Sequence, residues 1–152
     1  MDIRSKLNAA LKDALKNKEQ VKVATIRLIL AALKDRDITV REKGQVDGID
    51  DVSILLLLQS MIKQRKESSK IYSEADRFDL AEREDAEVEV IRGFMPQQLS
   101  DSEIAEVVDG LIEKLGANDI KDMGKIMGAL KGEYAGRVDM GKAGAIAKEK
   151  LG

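Results

Sequence analysis

The sequence predicts an all-α protein: a four-helix bundle-like unit over residues 1–96 and a small three-helix unit over 97–152. Three observations carry this reading. Apolar residues recur at helical spacing along the whole chain, where alternating strands would show a period of two. The only proline, Pro96, interrupts that pattern once. Three glycines precede Pro96 and nine follow it, a composition shift that marks two separately built units.

In the first helix Ile3, Leu7, Ala10, Leu11 and Ala14 share one face, with lysines opposite. The second, about Gln20 to Asp37, carries two apolar stripes: Val21, Ala24, Leu28, Ala31 and Val23, Ile26, Leu30, Leu33. Two stripes predict neighbours on more than one side, hence a central helix. The stretch from Ile38 to Asp50, with Gly44 and Gly48, reads as a loop or short extended segment. Asp50 is placed to cap a third helix, about Asp51 to Glu74, with Ile49 and Ile54 as a hydrophobic staple. Its first half is leucine-rich, but residues 63–70 contain no apolar side chain, so the distal half should project or meet a polar partner. The fourth helix, about Asp79 to Met95, should bury Ala81, Val88, Ile91 and Met95.

The second unit opens with a capping box, Ser100 and Glu103, and a Leu99–Ile104 staple. A stripe of Ile104, Val107, Val108, Leu111, Ile112 and Leu115 then runs to Gly116. Helices of about Asp122 to Lys131 and Asp139 to Leu151 follow, with Gly124 and Gly128 one turn apart for close helix approach. With so much glycine and a short aliphatic stripe, this unit is expected to rely on the first unit or a partner for stability.

Composition excludes whole classes of chemistry. Without Cys or His there is no disulfide, thiolate nucleophile, imidazole base, His triad or Cys/His metal site. Aromatic residues amount to 3%, few for stacking unpaired bases. The N-terminal segment lacks the apolar run of a signal peptide, and Ile54–Leu58 is too short to span a bilayer. The expectation is a cytoplasmic protein with no metal, cofactor, membrane or DNA partner, and no catalytic residue is identified.

Charge is polarised. Residues 1–36 hold nine basic and four acidic groups, a net of +5; residues 78–96 hold two and six, a net of −4. The acids Glu82, Glu84, Asp85, Glu87 and Glu89 read as a solvated outer face, and Arg27, flanked by apolar residues, as an internal partner for an acid of the fourth helix. Gly136-Arg137-Val138-Asp139-Met140-Gly141-Lys142-Ala143 has P-loop spacing, but Ala143 replaces the magnesium-binding hydroxyl and no strand precedes it. It reads instead as a turn with Asp139 capping the last helix. Arg137 and Lys142, exposed at that helix start, suit a phosphate of a larger ligand and should matter little to folding. Ser68-Ser69-Lys70 cannot act as an amidase triad, because adjacent helical residues diverge by about 100°.

Several segments together resemble the GatB/YqeY family, whose members are similar to the C-terminal tail of the B subunit of the tRNA-dependent amidotransferase. They are Thr25-Ile26-Arg27, Met61 through Ser68, Asp79-Leu80-Ala81, Phe94-Met95-Pro96-Gln97-Gln98-Leu99-Ser100, Asp122 through Gly128, and Gly136-Arg137-Val138-Asp139, where Val138 replaces the family's alanine. The resemblance implies a link to tRNA and a family grouping with carbon–nitrogen ligases that use glutamine as amido donor. The catalytic domains of those ligases do not fit in a chain this short. The reading is therefore a non-catalytic tRNA-binding accessory module. Its candidate contacts are Lys125, Arg137 and Lys142, then Lys63, Arg65 and Lys66. The alternative is a helical protein-interaction module docking on an aminoacyl-tRNA synthetase or amidotransferase through apolar surface.

Overall fold

The computed structural model describes residues 2–152. They form seven α-helices and one 3-10 turn, with no strand among the described residues. The chain divides into two compact units, the first ending at Met95 and the second comprising Pro96–Gly152.

In the first unit Asp2 caps α1 (Ile3–Lys16) by accepting from the Ser5 amide at 2.7 Å. α2 (Gln20–Arg41) runs one turn further than its apolar pattern suggests. Thr39 Oγ1 donates to the Asp35 carbonyl at 3.0 Å, and the helix ends only before Gly44, whose φ of 97° suits glycine. α3 (Asp51–Glu74) has the expected bounds, with the Ser53 amide donating to Asp50 at 2.9 Å. α4 (Phe78–Arg92) ends at Gly93, so Met95 lies beyond it and is half-buried.

The link between α2 and α3 is pinned by Asp37. Its carboxylate accepts from both terminal nitrogens of Arg4, at 2.7 and 2.8 Å, and from the Ile49 amide at 2.9 Å; Arg4 also donates to the Ile49 carbonyl. Gly48, with φ of 83°, lies so close that a Cβ there would collide with the Asp37 carboxylate. One acid thus ties α1, α2 and the entry to α3 together.

The core joins Leu7, Ile26, Ile29, Leu33, Ile54, Leu57, Leu58 and Ile91. Only one of the two α2 stripes belongs to it. Ile26 and Leu33 are buried, while Val21, Leu28 and Ala31 are exposed. α2 packs on α1, α3 and α4, yet all of them approach its Ile26–Ile29–Leu33 side.

In the second unit the capping box of α5 (Asp101–Leu115) is complete: Glu103 N donates to Ser100 Oγ at 3.2 Å and Ser100 N to Glu103 Oε1 at 3.0 Å. Gly116 (φ 62°) ends the helix, and Leu115 is already exposed. The 3-10 turn Ile120–Asp122 leads into α6 (Met123–Glu133). Asp139 caps α7 (Met140–Leu151) through the Lys142 amide at 3.1 Å. Ile104, Val108, Leu111, Ile126, Leu130, Val138, Ala143 and Ala147 form a second core. Gly124 and Gly128 do not mediate helix contact: a Cβ on either would meet nothing within 4 Å. The small residues that let helices approach are the fully buried Ala143 and Ala147.

The Arg4 guanidinium and the Ile49 amide hold the Asp37 carboxyl below its ordinary 3.8. That stabilisation is present above the unfolded-state value and is lost as pH falls through the lower, folded-state value. Asp37→Ala should destabilise the chain by about 2 kcal/mol at pH 7. Chemical denaturation against pH should show the gap to wild type closing once pH drops below 3.8.

Candidate functional site

On α3, helical spacing separates the expected cations Lys63, Arg65 and Lys66, with Lys70 beyond them, into two sets. Lys63, Lys66 and Lys70 lie on an exposed face, and none makes an ion pair among the described residues. Arg65 points the other way. Its Nε donates to Glu87 Oε2 on α4 at 3.0 Å, its Nη1 reaches the Met61 carbonyl at 3.3 Å, and the two side chains are only 14% and 12% exposed. Arg83 approaches the other Glu87 oxygen at 3.9 Å.

Two sequence expectations are corrected here: of the α4 acids Glu82, Asp85 and Glu89 are exposed as expected, but Glu87 turns toward α3 and Glu84 is half-buried. Glu87 is buried and is no part of a solvated face. Arg27 is exposed without an ion pair among the described residues, so the internal arginine facing α4 is Arg65. Partial burial, with the Glu87 carboxylate nearby, pushes the Glu84 carboxyl up. Further along, Ser69 is buried and its Oγ donates to the Ala81 carbonyl at 3.5 Å. The polar half of α3 does meet a polar partner, supplied by its own chain.

In the second unit Lys125 is exposed beside Asp122 at 3.6 Å, and Lys142 pairs with the exposed Asp101 at 3.2 Å. Arg137 differs from both. It is half-buried, donates from Nε to the Gln97 carbonyl at 3.1 Å, and lies over the Tyr134 ring at 5.9 Å. The Leu99 amide donates to the Arg137 carbonyl at 2.8 Å, and the Gln98 side chain donates to the Gly136 carbonyl. Arg137 is therefore half-buried and tied to Gln97 and Tyr134, which corrects the expectation that it is a fully exposed cation. Gln97 and Gln98 have roles that helical periodicity could not reveal, because their partners lie about 40 residues away, and Tyr134 is a local partner of Arg137 in the non-helical turn. The joint presence of the Pro96-Gln97-Gln98 and Gly136-Arg137 motifs was the available signal.

A shallow open groove of about 360 Å³ lies between α5 and α6, lined by Val107, Gly110, Leu111 and Tyr134 with Lys114 and Glu133 at 3.9 Å across it. No cluster of three potential metal ligands occurs among the described residues, and none of their helices is long and apolar enough to cross a membrane.

The segments that touch in the second unit are two of those on which the family resemblance rests, and the YqeY family, described as Yqey-like protein, matches residues 4–151. The chain belongs to the YqeY family. The match extends through both units. Similar proteins include Altered inheritance of mitochondria protein 41, mitochondrial, of Lachancea thermotolerans, 31% identical over 117 residues, covering 76% of this chain and 60% of that protein. The protein of the same name from Saccharomyces cerevisiae strain YJM789 is 29% identical over 132 residues, covering 83% and 69%. An uncharacterized Schizosaccharomyces pombe protein is 25% identical over 99 residues, covering 65% and 76%. The match thus spans 60% and 64% of the two Altered inheritance of mitochondria proteins from Lachancea thermotolerans and Vanderwaltozyma polyspora.

Within this YqeY-family chain the two cations of the glycine turn should separate in a thermal melt. Arg137→Ala should lower stability by about 1 kcal/mol through loss of the carbonyl bond and the ring contact. Lys142→Ala should leave the melt nearly unmoved, because its pair with Asp101 is exposed.

Proposed function

We propose that this YqeY-family chain is a non-catalytic accessory module of the cytoplasm that contacts tRNA through phosphates, together with a synthetase or amidotransferase. The observation that carries the reading is the lysine face of α3. Lys63, Lys66 and Lys70 are exposed and unpaired among the described residues, and they recur at i, i+3 and i+7 along one side of a long helix. Such a row follows a phosphate backbone and needs no stacking aromatics. The family's link to tRNA, stated above from the motifs, supports the same reading.

Lys125 and Lys142 are secondary contacts. Each must leave an exposed carboxylate to reach a phosphate, which costs little. Arg65 and Arg137 are assigned to the fold, since moving either would break a part-buried or backbone contact. The family grouping with glutamine-dependent carbon–nitrogen ligases is read here as shared ancestry, not as an activity of this chain.

Filter binding of a tRNA transcript across a salt series tests the proposal. With three phosphates neutralised, the log–log slope should be about −3 and should rise toward zero in Lys63→Ala/Lys66→Ala/Lys70→Ala. The variant's melt should match wild type. A slope unchanged by the three substitutions would remove the α3 face from the site, and no binding at low salt would end the tRNA reading.

A further inference from the structure

A helix with a continuous apolar stripe normally buries it. α2 does so on one side only. The outward row comprises Val21, Leu28, Ala31, Asp35 and Ile38, all exposed, with the half-buried Ala24 among them, spaced alternately by three and four. This is the a/d spacing of two and a half heptads, the seam by which one helix receives another. At about 100° per residue the seam lies on the opposite side of α2 from Ile26, Ile29 and Leu33. Val21, Leu28 and Ile38 remain 43%, 47% and 44% exposed. The seam is about 25 Å long at 1.5 Å per residue.

The edges of the seam specify the partner. On one edge, at successive heptad positions, stand Arg27, Lys34 and Arg41, all exposed and without an ion pair among the described residues. The other edge is uncharged and mostly covered by the protein's own core: Thr25 is buried, Ala32 half-buried, and Thr39 alone exposed. We propose that the outer face of α2 docks one amphipathic helix of another protein, apolar along its seam and acidic along the edge that meets Arg27, Lys34 and Arg41. Ala24 and Ala31 let that helix come close, and Asp35 inside the seam sets its register by demanding a cation or hydrogen-bond donor opposite.

Other occupants fit less well. A second copy packed antiparallel would set the cationic edge against itself, and a parallel copy would set Asp35 against Asp35. A lipid surface would have to bury Asp35 between Leu28 and Ile38. An RNA backbone could use the cations but gains nothing from Val21, Leu28 and Ile38.

The test uses the full chain and two synthetic peptides of about 21 residues, three heptads. Both have leucine seams with one lysine to face Asp35; one carries glutamate on its edges, the other lysine. By fluorescence anisotropy the glutamate peptide should bind about tenfold more tightly than the lysine peptide, as two or three edge pairs imply. Arg27→Glu/Lys34→Glu should invert that order. Leu28→Gln should weaken binding of the glutamate peptide severalfold with an unchanged melt, because Leu28 lies outside the core. Equal binding of the two peptides, an order that survives charge reversal, or no effect of Leu28→Gln would overturn the proposal. So would self-association abolished by Leu28→Gln, which would give the seam to a second copy. A tRNA transcript that displaces the peptide and binds wild type and Leu28→Gln equally would assign the edge to RNA and also overturn it.

Discussion

Arg65 and Glu87 meet at 3.0 Å midway along the antiparallel pair α3 and α4, both side chains almost covered. Enclosing two charges is costly unless their remaining hydrogen-bonding groups are served. Here Arg65 also reaches the Met61 carbonyl, and Glu87 also faces Arg83. The consequence is a division of α3. Its first half, Ile54 to Met61, belongs to the aliphatic core, and its second half is held by an ionic and small-residue contact with α4 that ends at Ser69 and Ala81. The same pairing turns Arg65 inward and leaves Lys63, Lys66 and Lys70 outward, so the proposed phosphate face follows from the way the hairpin is held.

The second unit has its own fixed point. Two stretches about 40 residues apart are joined by Gln97, Gln98 and Leu99 bonding to the Gly136–Arg137 turn. That turn then presents Asp139 to cap α7. Of the nine glycines here, Gly116 and Gly136 serve turns with positive φ, while Gly124 and Gly128 stand at no helix interface. Membership of the YqeY family covers both fixed points, since the match runs from residue 4 to 151.

Where local chemistry decides structure, the sequence could be read directly. Asp50, Ser100 with Glu103, Gly116 and Asp139 mark helix ends because the groups they satisfy lie within a turn. The end of α2 lies beyond its apolar pattern because Thr39, a weak helix former, here bonds back to Asp35. Charge and burial assignments failed where they depended on which helix lies opposite. Periodicity shows that Leu28 and Ile26 are on different faces, but only packing shows that one of the faces is left bare. Glu87 and Glu89 look alike in sequence, yet one faces Arg65 and the other is exposed. Arg137 reads as a free cation in sequence because its carbonyl partner, Gln97, lies 40 residues away, and the nearby Tyr134 ring gives no periodic signal.

If the Arg65–Glu87 contact holds the polar half of α3 in place, amide hydrogen exchange on the full chain will show it most directly. Residues 62–74 and 78–87 should be protected together in wild type, and Glu87→Ala should accelerate exchange in both by roughly tenfold or more, since it leaves Arg65 enclosed without its acid. Residues 54–61 should keep their protection. Free exchange of residues 62–74 in wild type, or protection that Glu87→Ala leaves unchanged, would contradict the account.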